Sequence, residues 1–159
     1  MRKRLETENI CDSLKGRIKY FATRYRECHD EEGRVAVLVD GKEVLKSCWF
    51  DWAIKSHEIH EAGEIPREGL TFNEYWEKVH IETNNQCGFD QFCFYEAYYE
   101  YANQSIENSL KAADPIVKMF AILDRRVGKR TLEKVKLEMN SLPEWLRYFY
   151  DLRLESEGL

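Results

Sequence analysis

Hydrophobic and polar positions alternate over the first third of the chain and then change period. From Arg17 to Arg26, Ile18, Tyr20 and Ala22 fall opposite charged neighbours before the alternation slips, which is the pattern of a half-buried strand. Asp30-Glu31-Glu32-Gly33 supplies a turn, and Arg34-Val35-Ala36-Val37-Leu38-Val39 reads as a second strand. Asp40-Gly41 follows, a dipeptide that readily adopts the positive φ angles of a tight hairpin, and Lys42-Glu43-Val44-Leu45-Lys46 completes an antiparallel meander. An open meander exposes an apolar face, so helices from the rest of the chain are expected to cover one side of it.

Beyond Ser47 the period becomes helical. Trp49, Trp52, Ala53 and Ser56 share one face of a helix that ends before Gly63 and Pro66, and Thr71-Phe72-Asn73-Glu74 is a capping box that opens a second, with Tyr75, Trp76 and Val79 on its apolar side. A third runs from about Asp90 through Tyr101, reaching Ala113 unless Asn103-Gln104-Ser105 interrupts it. Phe94, Tyr98 and Tyr101 form one stripe of that helix and Phe92, Tyr95 and Tyr99 an adjacent one, a breadth that predicts a central position; Asp90, Glu96 and Glu100 between the rings speak for core packing over base stacking. Asp114-Pro115 restarts the chain as a helix, with Asp114 as N-cap and Ile116, Met119, Phe120, Leu123 and Val127 as the buried stripe. A short helix from Thr131 to Met139 follows Gly128. Ser141-Leu142-Pro143-Glu144 opens the last, whose Trp145, Leu146, Phe149, Tyr150 and Leu152 turn inward. The prediction is one α+β domain over residues 1–159, an N-terminal antiparallel β-meander of about three strands followed by five to six helices.

Composition agrees with a globular chain. Among the 159 residues, 43% are hydrophobic and 33% charged, which separates the sequence from disordered ones. No apolar run approaches the roughly 20 residues that cross a bilayer, and Met1-Arg2-Lys3-Arg4-Leu5-Glu6 leads into acids and Asn9 rather than an apolar signal core, so a cytoplasmic protein is expected. Cys11, Cys28, Cys48, Cys87 and Cys93 are odd in number and form no Cys-x-x-Cys pair, which points to reduced thiols rather than a disulfide framework or a zinc cage. The net charge of −5 conceals segregation: residues 1–26 hold eight Lys/Arg against three acids, residues 118–136 seven against two, and residues 58–107 two against eleven.

Few motifs carry chemistry. In His57-Glu58-Ile59-His60-Glu61, residues His57, His60 and Glu61 share a helix face at spacings that suit metal ligands, with Cys28-His29 or His80 as the source of a third His; the spacing departs from His-Glu-x-x-His, and a solvated face explains it equally. Asp40, Glu43 and Lys46 fail the spacing of an acid-and-lysine nuclease site, because Glu43 and Lys46 fall on opposite faces of a strand. Gly128-Lys129-Arg130-Thr131 lacks the upstream glycine of a phosphate-binding loop, and no catalytic triad or nucleophile elbow is present. The sequence points to no cofactor.

The most informative stretch is Asp124-Arg125-Arg126-Val127-Gly128-Lys129-Arg130-Thr131-Leu132, four cations around one glycine at a junction between helices. Gly128 is placed to stop the preceding helix, with Arg125 and Arg126 at the negative end of its dipole. The dipole gives no reason for Lys129, Arg130, Lys134 and Lys136 on the next helix. Three readings stay open: a binding surface for an acidic protein through Arg125, Arg126, Lys129, Arg130 and Lys134, a nucleic-acid-binding helix-turn-helix using the same residues, and a solvated junction. A metal-dependent hydrolase at His57, His60 and Glu61 is a further alternative.

Val39-Asp40-Gly41-Lys42-Glu43, Leu123-Asp124-Arg125-Arg126-Val127-Gly128-Lys129-Arg130 and Pro143-Glu144-Trp145-Leu146-Arg147-Tyr148-Phe149-Tyr150 together resemble a family of small uncharacterised bacterial proteins with no established activity. The resemblance spans most of the chain, implies a bacterial cytoplasmic protein and lends no catalytic residue. By analogy of size and context it suggests an adaptor, so a non-enzymatic protein-binding module is expected, with no membrane association.

Overall fold

The computed structural model describes residues 1–25, 27 and 32–159. Asp30 and Glu31 of the expected first turn, with Cys28 and His29, lie outside these residues.

The meander forms as the alternation requires. Strands β1 (Ile18–Arg24), β2 (Gly33–Val39) and β3 (Lys42–Cys48) pair antiparallel in the order β1-β2-β3. Ile18 and Tyr20 bury fully on the helix-covered face, and Tyr20 stands opposite Val37. The second ladder pairs Val37 with Leu45 but Leu38 with Glu43, so Val44 is an extra, bulged residue of β3. At the hairpin, Asp40 and Gly41 both take positive φ, 51° and 81°. Arg17 clamps this turn: its Nε and Nη2 donate to the Asp40 carboxylate at 2.9 and 2.8 Å, and that bonding holds the Asp40 carboxyl below the ordinary carboxylate range.

Seven α-helices follow: α1 (Trp49–Ala62), α2 (Phe72–Asn85), α3 (Gln91–Asn103), α4 (Ile106–Lys111), α5 (Pro115–Ile122), α6 (Lys129–Lys136) and α7 (Glu144–Ser156). The capping box of α2 is made, with the Glu74 carboxylate accepting from the Thr71 backbone N–H at 2.8 Å and Thr71 accepting from the Glu74 N–H. Ser105 caps α4 after the break at Gln104, which separates α4 from α3 and adds a helix to the expected five or six. Asp114 caps α5 through Ile116 N–H at 2.7 Å, with Pro115 in the first turn.

The central helix is α5 rather than α3. Every α5 residue except Lys118 is buried, and Phe120 makes edge contacts with Tyr20, Phe94 and Tyr98. Helix α3 buries Cys93, Phe94, Ala97 and Tyr101 against the sheet and α5, while Phe92, Tyr95 and Tyr99 of its second stripe are 42%, 45% and 73% exposed. A helix with acids at 96 and 100 has one dry side, and the other faces water. A small second cluster, Ile59, Tyr75 and Val79 with Ile65, Leu70 and Trp76, joins α1 to α2.

Two boundaries differ from the sequence reading. Helix α6 begins at Lys129, with Gly128 as its N-cap at φ −83°, and α7 begins at Glu144, with Ser141 left in a separate 3-10 turn. Residues 4–9 and 12–14 form a π-helical turn and a 3-10 turn; their Leu5 and Leu14, with Ile10 and Cys11 between the two, enter the main core.

Candidate functional site

The junction is built on Asp124. Its carboxylate, fully buried, accepts from the Arg126 backbone N–H at 2.7 Å, an Asx turn that breaks the helix after Ile122. Here the expected role of Gly128 as the stop of α5 is corrected: the side chain of Asp124 ends that helix, and the N-terminal segment secures the end, with Cys11 N–H donating to Leu123 O at 2.9 Å and Arg125 N–H to Asn9 O at 2.7 Å. Asp124 also accepts from the Tyr101 hydroxyl and from Arg126 Nε and Nη2, the latter at 2.7 Å, while Asn9 Nδ2 donates to the Tyr101 oxygen at 2.9 Å. Burial, then the Asp124 carboxylate, push the Tyr101 hydroxyl well above the ordinary tyrosine range, so it stays a donor.

Above this network lies a polar cavity of about 280 Å³ whose rim carries Arg4, Arg125, Arg126 and Glu8. Arg4 leans on Glu8 at 3.7 Å, and Arg126 stacks over the Tyr101 ring at 5.7 Å while bound to Asp124. Arg125 is exposed and, among the described residues, forms no ion pair. Arg125 and Arg126 stand out in the sequence itself; Arg4 and Asn9 arrive from 121 and 116 residues before Arg125, Tyr101 from 23 before Asp124, and none of the three carries a motif that could have announced it.

The remaining expected cations are dispersed along α6. Lys129 Nζ donates to the Glu157 carbonyl at 3.1 Å, at the end of α7. Arg130 is exposed in the first turn of α6. Lys134 lies toward Glu107, whose carboxyl is held low by its bond to Lys111, with a smaller contribution from Lys134. Residues 123–128 separate α5 from α6, α6 packs on α7, and α5 is buried apart from Lys118.

The His57–Glu61 segment lies on α1, but the three side chains do not act together. His60 turns to the small cluster, stacked on Trp76 at 5.1 Å, with Nδ1 at 2.8 Å from the Tyr75 hydroxyl. The Arg67 guanidinium sits 3.0 and 2.7 Å from its two ring nitrogens, where a bound cation would have to compete with it. His57 and Glu61 are exposed, and His29 lies outside the described residues. Among the described residues, no three His, Cys, Asp or Glu side chains converge in a way that could hold a metal ion. Cys11, Cys48, Cys87 and Cys93 are free thiols. No helix among the described residues is long and apolar enough to cross a membrane.

The model of a family described as the SF0329 protein family matches residues 1–154. No curated protein and no solved structure matches the chain.

Proposed function

The chain belongs to the SF0329 protein family, and from that premise we propose that it is a non-enzymatic binding module of the bacterial cytoplasm that engages an acidic protein partner through the basic junction surface. The observation that carries the reading is the state of charge around Asp124. The buried carboxylate is already satisfied by Tyr101 and Arg126, so it does not neutralise Arg125, which stands exposed on the rim beside Arg4 and Arg126. A guanidinium without a carboxylate of its own, next to two others, favours a planar carboxylate from outside. Arg130, exposed at the start of α6 and likewise without an ion pair among the described residues, extends the same charge. A cytoplasmic setting agrees with the free thiols.

The test is fluorescence anisotropy of a fluorescein-labelled oligoglutamate peptide, run in parallel with a labelled DNA duplex at two salt concentrations. Saturable peptide binding that is lost in the double variant Arg125→Glu, Arg130→Glu is the expected result. Preferential DNA binding, with a log-log salt slope of about −0.9 per phosphate neutralised, would overturn it in favour of a nucleic-acid partner. Absence of binding to either probe at low salt also counts against the proposal.

A further inference from the structure

A second, larger cavity of about 410 Å³ opens between the sheet and α1, away from the junction residues. Three cations reach it from three different elements: Arg34 from β2, Lys46 from β3 and Lys55 from α1. In a chain of net charge −5, this convergence runs against the overall balance. Asp51 is the single carboxylate in the lining, and it is already occupied as an acceptor, taking the Cys48 backbone N–H at 2.9 Å and the Ser47 hydroxyl at 3.4 Å. Lys55 pairs with the exposed Glu58 at 3.3 Å, a contact that water weakens, whereas both carboxylate oxygens of Glu43 hold Arg34 Nη2 at 2.5 Å, so Arg34 meets a ligand as one half of that pair. Lys46 is exposed and has no ion pair among the described residues.

The Lys55 stem is held in place. A methyl group on Gly88 would lie 2.9 and 3.0 Å from Cβ and Cγ of Lys55, so that stem rests directly on the glycine backbone. Ile54, 56% exposed, adds an apolar wall. Aliphatic walls with cationic heads above them suit a ligand that has an apolar body and a compact, multiply charged head. Ammonium groups act as point charges that donate to phosphoryl oxygens from any direction, and a guanidinium adds a planar pair of donors.

We propose that this cavity is a binding site for a phosphoryl-bearing small molecule, whose phosphoryl oxygens meet Arg34, Lys46 and Lys55 and whose body rests on Ile54. The site is separate from the junction and stands whether or not the acidic-partner reading holds.

Two cysteines make the cavity its own reporter. Cys48 and Cys87 both line it and are half-buried, whereas Cys11 and Cys93 are buried elsewhere. The whole chain is alkylated with iodoacetamide and each cysteine's rate is read by peptide mapping, with inorganic pyrophosphate as the probe and sodium chloride matching the ionic strength. Labelling is run at about pH 8.5, because burial pushes the Cys87 thiol up to about 11 and the thiolate is the reacting form. Pyrophosphate is expected to slow Cys48 and Cys87 by about ten-fold once it exceeds its dissociation constant about ten-fold. The variant Lys46→Ser, Lys55→Ser should lose that protection, Lys46→Arg should keep it, and Arg125→Glu should behave as wild type. Unchanged rates, equal protection by chloride, or protection that survives in the double serine variant would each overturn the proposal. Circular dichroism of each variant, matched to wild type, confirms that the fold is intact when the rates are compared.

Discussion

Arg153, near the end of α7, donates from Nη2 to the carbonyl of Val127 at 2.9 Å, and this bond ties the basic junction to the last helix. The same guanidinium is 3% exposed and bonds Glu157 through Nη1. A buried cation thus holds the backbone from which Arg125 and Arg126 project.

Removal of that cation should be costly. Arg153→Ala strands the Val127 carbonyl and empties a buried site, and a loss of about 2–4 kcal/mol is expected. Glu157→Gln keeps an oxygen acceptor for Arg153 and for the Ser13 hydroxyl and removes only the charge, so it should cost less than Arg153→Ala. Urea unfolding of the two variants checks the difference; equal losses would refute a buried anchor at Arg153.

The Tyr101 hydroxyl gives a second measure of the junction. Tyr101→Phe deletes the donor to Asp124 and the acceptor for Asn9 together, with an expected cost of about 1–3 kcal/mol. Asp124→Ala should cost more, because it also releases the Arg126 side chain and the N–H that ends α5. Thermal unfolding that ranked the two in the opposite order would show that the network does not converge on Asp124.

Asp114 sets a pH signature. Burial pushes its carboxyl above the ordinary aspartate range, so the folded chain keeps that proton to higher pH than the unfolded chain does. Its contribution is therefore most favourable below the unfolded value of about 4 and is lost as pH rises through the raised native value. Asp114→Asn retains acceptors for Ile116 N–H, and its stability relative to wild type should grow as pH rises from about 3 to about 7. A difference that stayed flat with pH would remove burial of Asp114 as the cause.

Two glycines should fail for different reasons. At Gly33 an added Cβ would run into the Thr23 carbonyl and the Gln91 carboxamide, and Gly33→Ala is expected to cost about 3 kcal/mol through overpacking. At Gly41 nothing lies within 4 Å, but φ is +81°, and Gly41→Ala should cost about 1–2 kcal/mol from backbone strain alone. Chemical denaturation of each variant tests both values, and a Gly33→Ala loss no greater than that of Gly41→Ala would contradict the packing argument.

What was readable in the sequence is what local physics decides. The Asp40-Gly41 turn, the Thr71/Glu74 box, the Asp114-Pro115 start and the Ile18/Tyr20 face depend on neighbours within a few residues, and each formed as expected. Residues 1–14 carry no readable element, because the short π-helical and 3-10 turns there are too brief for Leu5, Ile10, Cys11 and Leu14 to keep up one period. The end of α5 was misassigned for a related reason. Gly128 is the stronger local signal, but the stop came from Asp124 acting with Asn9, Ile10 and Tyr101, partners that only the tertiary fold supplies. The same holds for both cavities: Arg4 meets Arg125, and Lys46 meets Lys55, only after the sheet and helices have packed.

The split of the apolar interior into a main core and the small Ile59, Tyr75, Val79 cluster has a consequence for how the molecule opens. The base of the α1–α2 hairpin is pinned, since Trp145 Nε1 donates to the carbonyls of Asn84 and Asn85. Its far end, from about residue 59 to residue 76, is held by the small cluster and by the polar contacts of His60 with Tyr75 and Arg67. Amide protons there should exchange through a local opening that leaves the sheet and α5 closed, so the hairpin tip acts as a separate cooperative unit with a lower free energy of opening than the rest of the chain.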